Sequence, residues 1–156
     1  MDLLPVYRNT FILALAQVPG YFSAAYFVEK WGRKKTLGIY LLASGVFTYL
    51  FAIATSLSFI VFMGIWMSFF ALGAWGALYA YTPEIYPTPL RATGMGSASA
   101  MTRIAGAIAP VLGGILMGES FFIPLLIFSS AYFLASMASF FMPVETKGKP
   151  LEDVLV

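Results

Sequence analysis

The longest stretches of this chain without a charged residue are each long enough to cross a lipid bilayer. Residues 9–28 and 121–142 carry no charge, and the uncharged stretch 36–83 is long enough to cross twice, with a polar break at 55–58. About 20 apolar residues in a helix cover the roughly 30 Å hydrocarbon core. We therefore predict an all-α membrane protein of one membrane domain, with five transmembrane helices at about 9–28, 37–55, 59–82, 94–117 and 121–142.

Composition supports a membrane protein and argues against an enzyme. The 156 residues are 60% hydrophobic and 10% charged, which leaves too little polar surface to cover a soluble globule. Cysteine and histidine are both absent, so the commonest metal ligands and the commonest general base are missing. We expect no catalytic residues, no metal site and no cofactor.

The positive charges lie mainly on one side of the predicted membrane domain. Segments 29–35 and 83–93 and the tail 143–156 are basic, through Lys30, Arg33, Lys34, Lys35, Arg91, Lys147 and Lys149. The other side carries Arg8 and the acidic Glu119. The positive-inside rule then places the N-terminus outside and the tail in the cytoplasm, with the plasma or bacterial inner membrane as the expected location. Basic loops separated by apolar spans predict no nucleic-acid partner.

The fourth predicted span combines small residues with one charged residue at membrane depth. Small side chains recur every four residues, at Ala98, Thr102, Gly106, Pro110, Gly114 and Gly118, which lets neighbouring helices approach closely. We therefore predict an interior helix. Arg103 lies within this span, and a charge at membrane depth is costly and usually functional. It either binds an anionic substrate or pairs with a structural partner.

Three further residues are candidates for lining a substrate cavity. Trp75 and Tyr79 share one face of the third span, because they are four residues apart. They serve either core packing or substrate binding. Gln17 is a polar residue near the middle of the first span. The second span consists of Leu, Phe, Tyr and small residues, and we expect it to be peripheral.

Three loop motifs resemble those of the major facilitator superfamily. Residues 25–34 resemble its cytoplasmic motif Gly-x-x-x-Asp-Arg-x-Gly-Arg-Arg/Lys, and 83–94 resemble the Glu-x-Phe/Tyr-Pro-x-x-x-Arg-x-x-Gly motif of its sugar-porter-like branches. Residues 143–148 are similar to the Pro-Glu-Thr-Lys-Gly tail. In the family these motifs follow helices 8, 10 and 12. The chain thus resembles helices 8 to 12, a partial C-terminal half-bundle of a twelve-helix transporter.

The resemblance also implies roles for particular residues. Arg103 matches an arginine in helix 11 of the organic-ion, synaptic-vesicle-related and niacin-type branches, and Tyr79 matches a helix-10 aromatic beside the substrate of sugar porters. A conformational switch is implied for Glu29, Gly32, Arg33, Lys34, Glu84 and Arg91, with Glu29–Arg33 and Glu84–Arg91 as charge pairs. The lysines serve equally well as anchors for anionic lipid headgroups.

Two functions remain open from the sequence. In the first, the chain is part of a secondary transporter that moves a small organic solute, such as an aromatic acid of the niacin type, by alternating access. Its partners are then the solute, the bilayer and the missing N-terminal half. In the second, it is a truncated or split membrane protein without transport activity, acting as an interaction module.

Overall fold

A computed structural model describes residues 4–118 and 120–148. Within these residues the chain forms five helices, each long and apolar enough to cross a membrane. They are α1 (Leu4–Trp31), α2 (Arg33–Ala52), α3 (Leu57–Ile85), α4 (Thr88–Met117) and α5 (Phe122–Phe141). The predicted all-α class with five membrane helices is confirmed. Glu119, Lys149 and the tail from 149 to 156, which also entered the charge argument, lie outside the described residues.

The helices continue beyond the apolar spans at their charged ends. α2 begins at Arg33 and α4 at Thr88, each several residues before the apolar span starts. Hydropathy marks the part of a helix that lies in lipid, whereas the backbone hydrogen bonds continue into the interface. Gly32 alone separates α1 from α2. Its φ of 98° and ψ of 162° are open only to glycine, and this conformation reverses the chain within one residue.

Short connections place the helix ends at two opposite sides. The charged end of the bundle, as we name it, contains the α1–α2 turn, the α3–α4 turn and the segment after α5. A hydrogen bond between Arg33 at the start of α2 and Glu84 near the end of α3 fixes this arrangement. The opposite end holds the α2–α3 turn, where the side chain of Ser56 accepts a hydrogen bond from the Phe59 N–H and caps α3.

α2 is central rather than peripheral, so the expectation for the second span is wrong. Seven of its residues are buried, namely Thr36, Leu37, Gly38, Tyr40, Ser44, Gly45 and Thr48. Gly38 and Gly45 let α5 approach, and Ser136 and Ser129 of α5 donate hydrogen bonds to their carbonyl oxygens at 2.8 and 2.9 Å. Small residues and hydroxyl-to-backbone bonds of this kind hold helices together in lipid.

α1 and α3 also cross at a pair of glycines. A β-carbon at Gly20 would collide with the carbonyl oxygen of Phe69, and one at Gly73 would lie 3.0 Å from the carbonyl oxygen of Gly20. The backbones therefore touch at this crossing. Nearby, the hydroxyls of Ser23 in α1 and Tyr40 in α2 are 2.8 Å apart and share a hydrogen bond. These contacts join α1, α2 and α3 into one unit.

α4 is the least enclosed of the described helices, so the expectation of an interior helix of a bundle stays a prediction about helices beyond those described. Only Gly94 and Gly113 of its described residues are buried. β-carbons at Gly106 and Gly114 would meet no atom within 4 Å. These two residues of the strip of small residues therefore have no described helix packed against them.

Candidate functional site

The charged end is organised around Arg33. Its Nε and Nη2 atoms donate to the two oxygens of Glu84 at 2.9 and 3.0 Å. Such two-pronged pairs between arginine and carboxylate are stronger than single hydrogen bonds. The Nη2 atom also lies 2.9 Å from Oε1 of Glu29. Arg33 is largely buried, with 13% of its side chain exposed, whereas Glu29 is 72% exposed. Glu84 is therefore the principal partner of Arg33.

Glu145, in the segment after α5, binds the start of α2. Its carboxylate accepts hydrogen bonds from the backbone N–H groups of Arg33, at 2.9 Å, and Lys34, at 3.2 Å. The first N–H groups of a helix lack partners within the helix, and the helix dipole favours negative charge there. Glu145 supplies both the acceptor and the charge. Because it lies directly over Gly32, a β-carbon at that position would be 2.7 Å from its Oε2 atom.

Three neighbours of Glu145 complete the docking of this segment. Thr146, which is buried, donates a hydrogen bond to Oε2 of Glu84. Tyr81 of α3 donates to the Val144 carbonyl oxygen at 2.6 Å, and the Lys147 ammonium donates to the Lys30 carbonyl oxygen at 2.7 Å. The charged cluster, defined as Glu29, Arg33, Glu84, Glu145 and Thr146, thus joins the α1–α2 turn, the end of α3 and the segment after α5.

Arg91 does not take part in this cluster, so the expected Glu84–Arg91 pair is wrong. Both oxygens of Glu84 are already bonded to Arg33. The Nη2 atom of Arg91 instead lies 3.5 Å from the Thr88 hydroxyl, one helical turn earlier. Its Nε atom is buried and has no hydrogen-bond partner among the described residues. The expected contact between Glu29 and Arg33 is present.

A cavity of about 260 Å³ lies between α3 and α4 and contains two of the predicted substrate residues. Trp75 and Tyr79 line it, with their ring centroids 5.2 Å apart. Ser99 and Thr102 line it from α4. We name it the α3–α4 cavity. It offers aromatic faces on one wall and hydroxyl groups on the other, a combination suited to a small, flat and partly polar molecule.

Gln17 lies at a second cavity, of about 340 Å³, which touches α1, α3 and α5. Trp75 lines this cavity as well as the α3–α4 cavity. Ser68 and Tyr132, which the sequence did not single out, are also in its wall. The structure therefore places Gln17 and Tyr79 in the walls of two neighbouring cavities that share Trp75.

Arg103 stands apart from both cavities. It is exposed on α4 and makes no hydrogen bond or ion pair with any described residue. It follows Thr102, which lines the α3–α4 cavity. A third hollow, an apolar groove of about 740 Å³ between α2, α3 and α5, also borders Trp75 and extends from Leu125 to Met142 along α5.

The sequence profile of the Major Facilitator Superfamily matches residues 9–154. This chain belongs to the major facilitator superfamily. The resemblance seen in the three loop motifs is thereby confirmed.

Similarity to individual members of this superfamily indicates the branch that the chain resembles. The chain is 45% identical over 153 residues to a Bacillus subtilis protein provisionally described as the niacin/nicotinamide transporter NiaP, covering 97% of this chain and 38% of that protein. It is 39% identical over 150 residues to the niacin transporter NiaP of Acinetobacter baylyi (95% and 34%) and 31% identical over 147 residues to the bovine synaptic vesicle 2-related protein (94% and 27%). The chain thus spans between 27% and 38% of the length of these relatives.

Sequence reasoning missed two groups of residues in this superfamily member. Glu145 and Thr146 stood inside a recognised tail motif, but nothing in the motif indicated that the segment returns to the α1–α2 turn. Ser68 and Tyr132 carried a weaker signal, namely a polar group near the centre of a predicted span. Gly32 was included in the predicted switch, and the close approach of Glu145 explains why glycine is needed there.

Proposed function

We propose that the chain forms part of a secondary transporter that moves a small aromatic acid of the niacin type across the membrane by alternating access. The observation that carries this proposal is the α3–α4 cavity, with the paired rings of Trp75 and Tyr79 opposite the hydroxyl-bearing Ser99 and Thr102. The descriptions of two relatives as niacin transporters support the solute class.

The size and lining of the cavity favour a solute with one aromatic ring. Pockets for drug-sized ligands have volumes of about 300–1,000 Å³, and the α3–α4 cavity of about 260 Å³ lies just below that range. An aromatic solute gains offset or edge-to-face contacts with the rings of Trp75 and Tyr79. The hydroxyls of Ser99 and Thr102 offer hydrogen bonds that orient it.

Arg103 supplies the positive charge that an acid requires. It lies fifteen residues after Thr88, the first residue of α4, which ends at Met117, so it sits at the middle of that helix. Placing arginine at the membrane centre costs about 2.5–3.5 kcal/mol on insertion scales. An anionic solute offsets part of this cost, and the planar guanidinium suits a carboxylate better than an ammonium does. Arg103 follows Thr102 of the cavity wall directly in the sequence, although its own side chain lines neither cavity.

The remaining surface of α4 is proposed to contact helices outside the described residues. Transporters of this superfamily have two halves that rock around a site near the bilayer midplane. The chain spans 38% of one niacin-transporter relative and 34% of another, so those proteins contain many further residues. Gly106 and Gly114, which face open space here, are suited to close contact with such helices.

The charged cluster is proposed to lie in the cytoplasm and to bias the conformational change. Its bonds tie the α1–α2 turn to the end of α3 and to the segment after α5, which makes these ends move together. Glu29, Lys34 and Arg91 are less fully engaged and are available to charges on another part of the transporter. The orientation that places this end in the cytoplasm follows from the basic residues around it.

Uptake by the full-length gene product tests the proposal. Cells expressing it should accumulate radiolabelled nicotinate with saturable kinetics, and Arg103→Ala should abolish this uptake while the protein still inserts into the membrane. Lys35→Gln is the matched control, because Lys35 is an exposed cation outside both cavities. Nicotinate uptake at wild-type affinity in Arg103→Ala would assign Arg103 a structural role. A wild-type protein that transports no aromatic acid would contradict the proposed function itself.

A further inference from the structure

The cavity next to Gln17 lies at the centre of the membrane domain. α1 extends from Leu4 to Trp31 and α5 from Phe122 to Phe141, so Gln17 and Tyr132 are each at the midpoint of their helix. The α3 residues in the wall, from Met67 to Trp75, surround the midpoint of α3 as well. We therefore name this hollow of about 340 Å³ the midplane cavity. Solute sites of transporters of this kind lie at this depth.

The midplane cavity is lined by polar side chains that have no protein partner. Gln17, Ser68 and Tyr132 line it and are only partly exposed, and the structure gives none of these side chains a hydrogen bond within residues 4–118 and 120–148. A polar group at membrane depth that is left unpaired costs free energy. Three such groups around one hollow are therefore suited to a bound molecule that pairs with them.

The polar groups of the midplane cavity are all uncharged. Among the described residues in its wall there is neither a cation nor a carboxylate. Such a site distinguishes molecules by hydrogen-bonding pattern and not by net charge. Trp75 lines both this cavity and the α3–α4 cavity, so the two cavities adjoin at this residue.

We propose that the midplane cavity recognises the ring nitrogen of a heteroaromatic solute, with Gln17, Ser68 and Tyr132 as specificity-determining residues. An aromatic ring nitrogen is a hydrogen-bond acceptor. The amide of glutamine and the hydroxyls of serine and tyrosine can each donate to it. This inference rests on the proposed function. It divides the recognition of one solute between two places: Arg103 binds the carboxylate, and the midplane cavity binds the ring.

A comparison of nicotinate with benzoate tests the division. The two acids have the same charge and nearly the same shape, but benzoate lacks the ring nitrogen. One hydrogen bond is worth about a two- to thirteen-fold change in affinity, so nicotinate should compete for uptake better than benzoate by about that factor. Tyr132→Phe and Gln17→Leu, which each remove a donor, should bring the affinity ratio of the two acids towards one.

The controls separate this inference from the proposed function. Tyr49→Phe removes a phenol hydroxyl from an exposed residue of α2 outside the cavity, and the ratio should stay at its wild-type value. Arg103→Ala should weaken both acids alike. If Tyr132→Phe and Gln17→Leu both keep the full wild-type ratio, the inference is wrong while the proposed function stands. If the wild-type protein takes up neither acid, the proposed function has failed instead.

The choice of variants keeps the test decisive if one of them misfolds. Tyr132→Phe changes a single hydroxyl and keeps the packing of the ring, so it decides the question even if Gln17→Leu does not fold. For purified full-length protein, the part of the quenching of tryptophan fluorescence that Trp75→Phe removes reports binding at Trp75 without transport. Nicotinate should quench more strongly than benzoate at equal concentration, and equal quenching by the two acids would overturn the inference.

Discussion

Oε2 of Glu145 lies so close to Gly32 that a β-carbon on this glycine would be 2.7 Å away from it. Gly32 also has a φ of 98°, so two independent constraints meet at one residue. The open position lets the carboxylate reach the backbone N–H groups of Arg33 and Lys34. The turn between α1 and α2 and the segment after α5 therefore depend on each other.

Gly32→Ala should destabilise the protein because it combines backbone strain with a collision. The backbone conformation alone costs about 1–3 kcal/mol for a residue with a β-carbon, and Glu145 must move as well. Thermal unfolding in detergent micelles would measure the loss. Two matched controls separate the strain from the collision. Gly148→Ala adds a β-carbon at a positive φ of 71° without a contact, and Gly106→Ala adds one in open space within a helix. Equal melting temperatures for all three variants would contradict the prediction.

Glu145→Gln should weaken the start of α2. The substitution keeps one acceptor oxygen but removes the negative charge that the helix dipole favours. Hydrogen bonds to charged groups contribute about 1.5–3 kcal/mol, and the value here should be near the lower end, since Glu145 is partly exposed. The free energy of unfolding, from denaturant titration in mixed micelles, is the measurement. Glu29→Gln is the control, because the Glu29 carboxylate is 72% exposed and exposed ion pairs contribute little.

Ser136→Ala should loosen the contact between α2 and α5. The hydroxyl of Ser136 is buried and donates to the Gly38 carbonyl oxygen at 2.8 Å. Hydrogen bonds between membrane helices are worth about 0.6 kcal/mol on average and about 1.7 at most. Ser130→Ala is the matched control, because the hydroxyl of Ser130 is exposed and bonds within its own helix, to Ile127. A larger loss of stability in the control than in Ser136→Ala would contradict the assignment.

The number of helices and the family could be predicted from the sequence because both depend on local signals. Apolar length defines the spans, and each loop motif is contiguous. The partner of Glu84 could not be predicted in the same way. Arg91 is near it in the sequence, but Arg33 reaches it because the start of α2 and the end of α3 lie at the same end of the bundle. To predict which of the two arginines pairs with Glu84, one must know the relative rotation of three helices.

The burial of α2 and the exposure of α4 among the described residues could not be predicted, for a related reason. The fourth span has few large apolar side chains and a strip of small residues, so the pattern favoured α4 as an interior helix. Burial is decided by the helices that are present to cover a surface. Gly38 and Gly45 meet α5 and become buried, whereas Gly106 and Gly114 meet no helix among the described residues. The small-residue pattern indicates the capacity for close contact, but it does not identify the neighbour.

Gly106→Leu tests whether a helix other than those described here packs against the strip of small residues. A β-carbon at Gly106 meets no atom within 4 Å, so the larger side chain should leave the melting temperature of the present five-helix chain nearly unchanged. In the full-length transporter, helices that pack on α4 would be pushed apart, and both thermal stability and nicotinate uptake should fall. Ile104→Leu, at an exposed and already large residue of the same helix, is the control. If Gly106→Leu behaves like this control in the full-length protein, the strip of small residues faces lipid or an open cavity, and the proposed packing on α4 is wrong.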